Sequence, residues 1–365
     1  MSKKHGIILL CALVLIAMIA LLNKRCKSDN NYDIRIACNV PMTGDLATYG
    51  ESIRDGMLLA QADLKEQDPS FTMDIDFEDN ASKANLALNI FNKQKMGKID
   101  YYISGVKPQT MTIIDGVEKL NIPHFTWIFD AYVTQKYNNA YRCWVNYRVE
   151  AEYIKRFVEE KQAKKVALVY VQLPHTDELV NTILIPFLKE KGIEYIVEPY
   201  DSGKTDFKDI ATKLKSSGID AVYVNGFKFN LIGIAKAFED YNINTTCNNL
   251  YTYDFMDAKE ELNDVITSHI NYIVPSYEID QSQQKKDWQE RFTAKFHRAP
   301  RYTDAYAYDM TFAIYQSVKE NKPIKDITFE GITGKVEFDE TGDIVTKLYI
   351  INYTNQEIKH VLQEN

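Results

Sequence analysis

Catalytic and nucleotide signatures are missing from this 365-residue sequence. No G-x-G-x-x-G follows a strand and no G-x-x-x-x-G-K-S/T occurs, so dinucleotide and P-loop chemistry lose their main support. The histidines, at positions 5, 124, 175, 269, 297 and 360, form no H-E-x-x-H, and no C-x-x-C pair or G-x-S-x-G elbow is present. Asp74, Asp76, Glu78 and Asp79 make the densest acidic cluster, but alternation sends the first two to one face of an edge strand and the others into a loop. A solvated face is the expected reading. No metal, cofactor or catalytic group is expected.

Cysteine is scarce too. Downstream of the first 31 residues only Cys38, Cys143 and Cys247 remain, too few for a disulfide framework. Cys38 falls in the first strand and reads as core; a Cys143–Cys247 bridge is the pairing left open in an oxidising compartment. No long Gly/Ser or Pro linker divides the chain.

Positive charge is confined to the front. Residues 1–31 hold five basic residues and one acid, so with a net charge of −8 the remainder carries −12. That balance argues against a nucleic-acid partner, which needs a basic face. Lys3 and Lys4 precede an uncharged run from Gly6 to Leu22, followed by Lys24, Arg25 and Lys27. The run spans roughly 25 Å as a helix, nearly a bilayer core, and marks residues 1–31 as an export signal or membrane anchor. No A-x-A site follows. Cys26 invites a lipoprotein reading, although Asn23, Lys24 and Arg25 stand where a lipobox has small apolar residues. Retention, lipidation and atypical cleavage stay open.

With 45% hydrophobic and 26% charged residues, the chain suits a globular protein of two domains. From residue 33 onward, strand and helix periods alternate. Ile53, Met57, Ala60 and Leu64 recur at helical spacing, and Met73, Ile75 and Phe77 alternate with acids as in a half-buried strand. Such βα units continue through strands at Tyr101 to Ser104 and His124 to Trp127. A second series follows: strand Val166 to Tyr170, a helix near Asp177 to Lys191 that Pro186 should kink or end, strand Glu194 to Val197, and strand Ala221 to Val224. Strand Tyr272 to Val274, helices near Lys285 to Phe296 and Thr303 to Lys319, and a hairpin around Asp339 to Asp343 complete it. The pattern predicts α/β architecture, with the βα series occurring twice, in two compact lobes with parallel sheets covered on both faces.

Four segments carry a family resemblance: Pro41-Met42-Thr43-Gly44 with Tyr49-Gly50 and Gly56; Lys164 to Tyr170; Thr205-Asp206-Phe207 through Asp220-Ala221-Val222; and Tyr306-Ala307-Tyr308-Asp309 with Gly331 to Asp339 and Gly342-Asp343. In this order the chain resembles, over residues 33 to 352, the type I periplasmic solute-binding proteins of ATP-binding-cassette transporters, the leucine/isoleucine/valine-binding branch. The resemblance implies two Rossmann-like lobes joined by a three-segment hinge with crossovers near 146, 274 and 331. It divides the chain into 32–146 plus 274–330 and 147–273 plus 331–362, and implies one small solute enclosed by hinge closure.

Loops at strand ends are the binding rim of open α/β sheets. Tyr49 stands at the first. Around Pro108, the amides of Gln109 and Thr110 are expected without intrahelical partners at the positive end of a helix, with Lys107 beside them. Thr126 and Trp127 follow, and Trp127 and Phe129 bring bulk where relatives carry small or hydroxylated residues. From the second lobe, the resemblance offers His175, Phe227, Tyr251 and Tyr253, with Asp254 the nearest acid for a ligand's ammonium. The expected protein is an extracytoplasmic monomer, in the periplasm or at the cell surface and anchored through its front segment. It captures a small polar ligand, an amino acid or related carboxylate or amide, for a membrane permease. A membrane-anchored sensing receptor of the same fold is the alternative.

Overall fold

In the computed structural model, which describes residues 32–354 and 357–361, fourteen strands form three sheets. The first contains β1 (Ile34–Val40), β2 (Met73–Asp79), β3 (Tyr101–Ser104), β4 (His124–Thr126) and β5 (Ala140–Arg142), all parallel, in the order β2-β1-β3-β4-β5. The second contains β6 (Lys165–Val171), β7 (Glu194–Tyr200), β8 (Ala221–Asn225), β9 (Asn248–Tyr251) and β10 (Asn271–Pro275). Their order, β7-β6-β8-β9-β10, repeats the first sheet's topology and is again parallel. β11 (Phe329–Gly331) and β12 (Gly334–Val336) make a separate antiparallel pair, while β13 (Leu348–Thr354) and β14 (Glu357–His360) extend the second sheet antiparallel beyond β10. The fold is thus two Rossmann-like lobes.

Burial follows strand position. The central strand β6, Lys-Val-Ala-Leu-Val-Tyr-Val, is buried from its second residue on, as a parallel strand covered on both faces must be. In the edge strand β2 only Met73 is buried; Ile75 and Phe77 pack half-buried on the core, the acids between them are no more exposed, and Asp74 pairs with Arg35 at 3.0 Å. Pro199 lies inside β7, which is longer than the expected Glu194 to Val197; the strand tolerates it because β7 is an edge. β5, β13 and β14 were not legible from periodicity.

The helix expected near Asp177 to Lys191 is composite: α-helical over Pro174–Glu178, π-helical over Leu179–Leu184 and α-helical again over Ile185–Glu190. Pro186 neither ends nor starts it. It sits in the first turn after the π segment, where its missing N–H costs least.

Two glycines set the first lobe's packing. A Cβ on Gly50 would lie 2.1 Å from the carbonyl oxygen of Pro41, so only glycine lets the Ala47–Gln67 helix start this close to the loop after β1. At Gly56 the same helix crosses the Tyr302–Glu320 helix, where a Cβ would meet the Asp304 carbonyl at 2.2 Å. The salt bridges Arg298–Asp55 (2.9 Å) and Arg291–Asp63 (2.6 Å) flank this crossing.

The chain passes between the lobes after β5, after β10 and after β12, and buried polar groups tie these passages together. Fully buried Arg142 donates from Nε to Asp343 Oδ1 (2.6 Å), whose other oxygen accepts from Asn146 (2.7 Å). Asp309 accepts from the amides of Ile332 (2.9 Å) and Thr333 (2.7 Å) and from the Thr333 hydroxyl (2.6 Å). Ser276 Oγ donates to the Thr333 carbonyl. Burial pushes the Asp309 carboxyl up to about 6.

Cys38, Cys143 and Cys247 are free thiols, which corrects the Cys143–Cys247 pairing left open by the sequence. Cys38 and Cys143 are wholly buried and Cys247 half-buried. Among the described residues no helix is long and apolar enough to cross a membrane, and no cluster of three or more metal-ligating side chains occurs. The apolar run of residues 6–22 lies outside the described residues.

Candidate functional site

Each lobe reverses strand order between its first and third strands, and at such switch points the loops leaving the strand ends part to form a crevice. In the first lobe these loops follow β1 and β3, with that after β4 beside them. In the second they follow β6 and β8, with that after β9 beside them. The two sets meet face to face. Phe129, after β4, stacks on His175, after β6, with ring centroids 4.9 Å apart and planes 8° from parallel. Trp144, in the passage after β5, touches Tyr49, Phe129 and Tyr302, and its indole N–H donates to the Tyr253 hydroxyl at 2.9 Å. Aromatic contacts of this kind contribute about 0.5–1.5 kcal/mol each beyond their buried area.

The pocket beneath these rings is lined mainly from the second lobe, with Phe129 from the first and Val145 from the passage after β5. About 20 Å³ of it admits a water-sized sphere, enough for about one ordered water.

The polar lining of the pocket includes two carboxyls, Glu150 and Asp254, beside His175, Thr176, Asn225 and Thr252. Glu150, on the Tyr147–Glu160 helix, is 2% exposed and accepts from Thr252 (2.7 Å) and Tyr223 (3.1 Å), both on Oε1. Burial outweighs those bonds and pushes it up to about 7. Burial, then the charges of Asp257 and Glu150, push Asp254 up to about 8. Burial lowers His175, favouring its neutral form. The site therefore offers neutral or readily ionised acids within an aromatic surround.

The expected site residues separate into groups. His175, Phe227 and Tyr253 line the pocket, and Tyr49 adjoins it through Trp144. Thr110 and Thr126 do not present hydroxyls to it. Thr110 Oγ1 lies 2.8 Å from Ser104 Oγ and 3.2 Å from Thr126 Oγ1, both threonines donate to the Gly105 carbonyl, and Ser104 bonds His124 Nε2. This buried network locks the two loops together. The Thr110 amide, expected free, donates to the Val106 carbonyl at 3.1 Å because the Lys107–Glu118 helix starts one residue before Pro108. Lys107 is neutralised by Asp130 at 2.9 Å. Trp127 is 1% exposed and belongs to the core; Tyr251 is buried and donates to Asn244. Gln109 is 1% exposed, and both its amide atoms lack a partner, as do Trp127 Nε1 and Asp130 Oδ2.

Asp79 is not the solvated acid the alternation suggested. It accepts from the amides of Met42, Thr43 and Ala81 and from the Thr43 hydroxyl, and so shapes the loop that carries Tyr49.

Sequence reasoning missed Trp144 and Glu150. Glu150 carried a signal: with Ile154 and Phe157 it occupies a helical stripe that is otherwise apolar, a carboxyl on a buried face. Trp144 lies in an irregular passage where no periodicity speaks.

The profile of the periplasmic binding protein family matches residues 33–356. No curated protein sequence matches the chain. Among solved structures, the branched-chain amino acid transporter substrate-binding protein LivJ of Streptococcus pneumoniae, in complex with isoleucine, is 20% identical, with 89% of this chain and 97% of that chain covered and a TM-score of 0.71. A substrate-binding protein of Desulfitobacterium hafniense in complex with Leu is 13% identical (90% and 99% covered, TM-score 0.72). A solute-binding protein of Rhodopseudomonas palustris BisB5 in complex with 3,4-dihydroxybenzoic acid is 16% identical (90% and 95% covered, TM-score 0.70). The two lobes of like topology, the cleft between their switch points and a profile match over nearly the whole described chain make this protein a member of the periplasmic binding protein family.

Proposed function

We propose that this chain is an extracytoplasmic solute-binding protein that captures a small polar molecule between its lobes and delivers it to an ATP-binding-cassette permease. The observation that carries this reading is the meeting of both switch points on one cleft, with Phe129 of one lobe against His175 of the other. A ligand there touches both lobes only when they close, so binding favours the closed state that a permease would recognise. The division into 32–146 with 274–330 and 147–273 with 331–362 is the lobe assignment that goes with it. The chain acts as a monomer in the periplasm or at the cell surface, held to the membrane through residues 1–31, and carries out no catalysis. Ligands bound by the similar structures, isoleucine, leucine and 3,4-dihydroxybenzoic acid, set the starting range.

A thermal-shift screen against amino acids, small carboxylates, amides, amines and purines tests the reading. Ligand at about a hundred times its dissociation constant adds roughly 2.7 kcal/mol, a readable rise in melting temperature. A saturable hit lost in Phe227→Ala, accompanied by a smaller radius of gyration in solution scattering, supports it. Silence across the library in folded protein free of co-purified ligand refutes it.

A further inference from the structure

The chemical class of the ligand can be narrowed, on the assumption that the cleft is a binding site. Glu150 and Asp254 reach the pocket from different elements, and no Lys or Arg lines it with them. Of the cations nearby, Lys107 holds Asp130 at 2.9 Å, Arg148 holds Glu178 at 2.9 Å and Lys228 holds Glu261 at 2.7 Å, while the Arg301 guanidinium donates to the Ser52 hydroxyl at 3.4 Å. Asp254 accepts no hydrogen bond from a described residue. Asp130, its side chain 7% exposed, uses one oxygen for Lys107 and leaves the other without a partner, and its charge acts on His175 in the cleft.

Amides that would receive a carboxylate at this rim are also occupied. The Thr110 amide donates to Val106, the Leu173 amide to the Thr176 hydroxyl (3.0 Å) and the Phe227 amide to Asn230 (3.2 Å). A ligand carboxylate would enter a pocket that holds Glu150 and Asp254 and at whose rim these three amides are already bonded. A ligand cation would meet the same two carboxyls, together with the aromatic rings of Phe129, Phe227 and Tyr253 in the lining, and a ring face attracts a cation by about 0.5–2 kcal/mol. We propose that the cleft takes a small organic cation, an amine without a carboxylate, rather than a zwitterionic amino acid or an aromatic acid. Asp254 is its ion-pair partner, Glu150 the second acid, and the rings replace water around the charged nitrogen.

Calorimetric titration of the full-length protein in mild detergent at pH 8 tests this with matched pairs that differ only in the carboxylate: isopentylamine with leucine, phenethylamine with phenylalanine, agmatine with arginine, and tetramethylammonium with glycine betaine. At least one amine should bind saturably, at least tenfold more tightly than its partner, and Asp254→Asn should weaken it tenfold or more without changing the circular dichroism spectrum. Glu150→Gln is the second variant should Asp254→Asn fold poorly, with a loss of threefold or more expected. Tighter binding of the zwitterion, or binding of leucine or benzoate with no amine bound, overturns the cationic class and leaves the solute-binding reading standing. Absence of binding by every amine also overturns it, and absence of binding by amines and carboxylates alike overturns both.

Discussion

Replacing Glu150 by Gln should make the empty protein more stable at alkaline pH and leave it almost unchanged at pH 5. Glu150 is 2% exposed, accepts from the Tyr223 and Thr252 hydroxyls, lies near Asp254, and is pushed up from 4.5 to about 7 by burial. The folded protein therefore holds this proton more tightly than the unfolded chain. Stability attributable to the group is highest below about 4.5, falls as pH rises to about 7 and is level above. The difference corresponds to about 3 kcal/mol by pH 8 and to less than about 1 kcal/mol at pH 5. Glutamine keeps the shape and the acceptor for both hydroxyls and has no charge to desolvate. With an unfolding entropy of about 2.1 cal/mol/K per residue, the variant should melt roughly 4–5 °C above the parent at pH 8. Differential scanning calorimetry at both pH values reads the effect. An equal difference in melting temperature at pH 5 and pH 8, or a less stable variant at pH 8, would refute a buried, uncompensated Glu150.

Thr110→Val should cost about 1–2 kcal/mol by removing a hydroxyl bonded to Ser104 and Gly105, yet leave affinity for any cleft ligand within about twofold; urea denaturation and calorimetry check the two parts, and a tenfold loss of affinity would restore Thr110 to the site. Asp309→Asn removes a carboxylate that accepts from two amides and a hydroxyl, so a loss of about 2–3 kcal/mol is expected in urea denaturation, and a change under about 0.5 kcal/mol would rule out this tie between the passages. Iodoacetamide labelling mapped by mass spectrometry should modify Cys247 in the native protein and Cys38 and Cys143 only after unfolding, since the latter two thiols are wholly buried. Native labelling of Cys143 would contradict the packing around Arg142.

Regular segments were legible because their burial is periodic. Met73, Ile75 and Phe77 announce β2, and the apolar run in Val166 to Tyr170 announces β6, because a strand's exposure to the two faces of its sheet is written in its alternation. β5 has three residues, too few for a period, and β13 follows a hairpin whose return to the second sheet depends on contacts distant in sequence. The site was half legible. His175, Phe227 and Tyr253, which the family resemblance offered, line the pocket because they sit in or beside loops that follow strand ends. Thr110 and Thr126 were misassigned because a hydroxyl's partner is a matter of orientation: both turn inward to Ser104 and Gly105.

By itself the sequence determined the alternation of strands and helices, the doubled lobe and the need for glycine at 50, all set by local periodicity and backbone sterics, whereas glycine at 56 is required by the crossing of the Tyr302–Glu320 helix. Tertiary structure decided which of the rim residues reach the cleft. It set Trp144 and Phe129 across its mouth, paired Lys107 with Asp130, and brought Glu150 and Asp254 together from segments about a hundred residues apart. Burial and the mutual repulsion of acids depend on three-dimensional distance, which no spacing along the chain records.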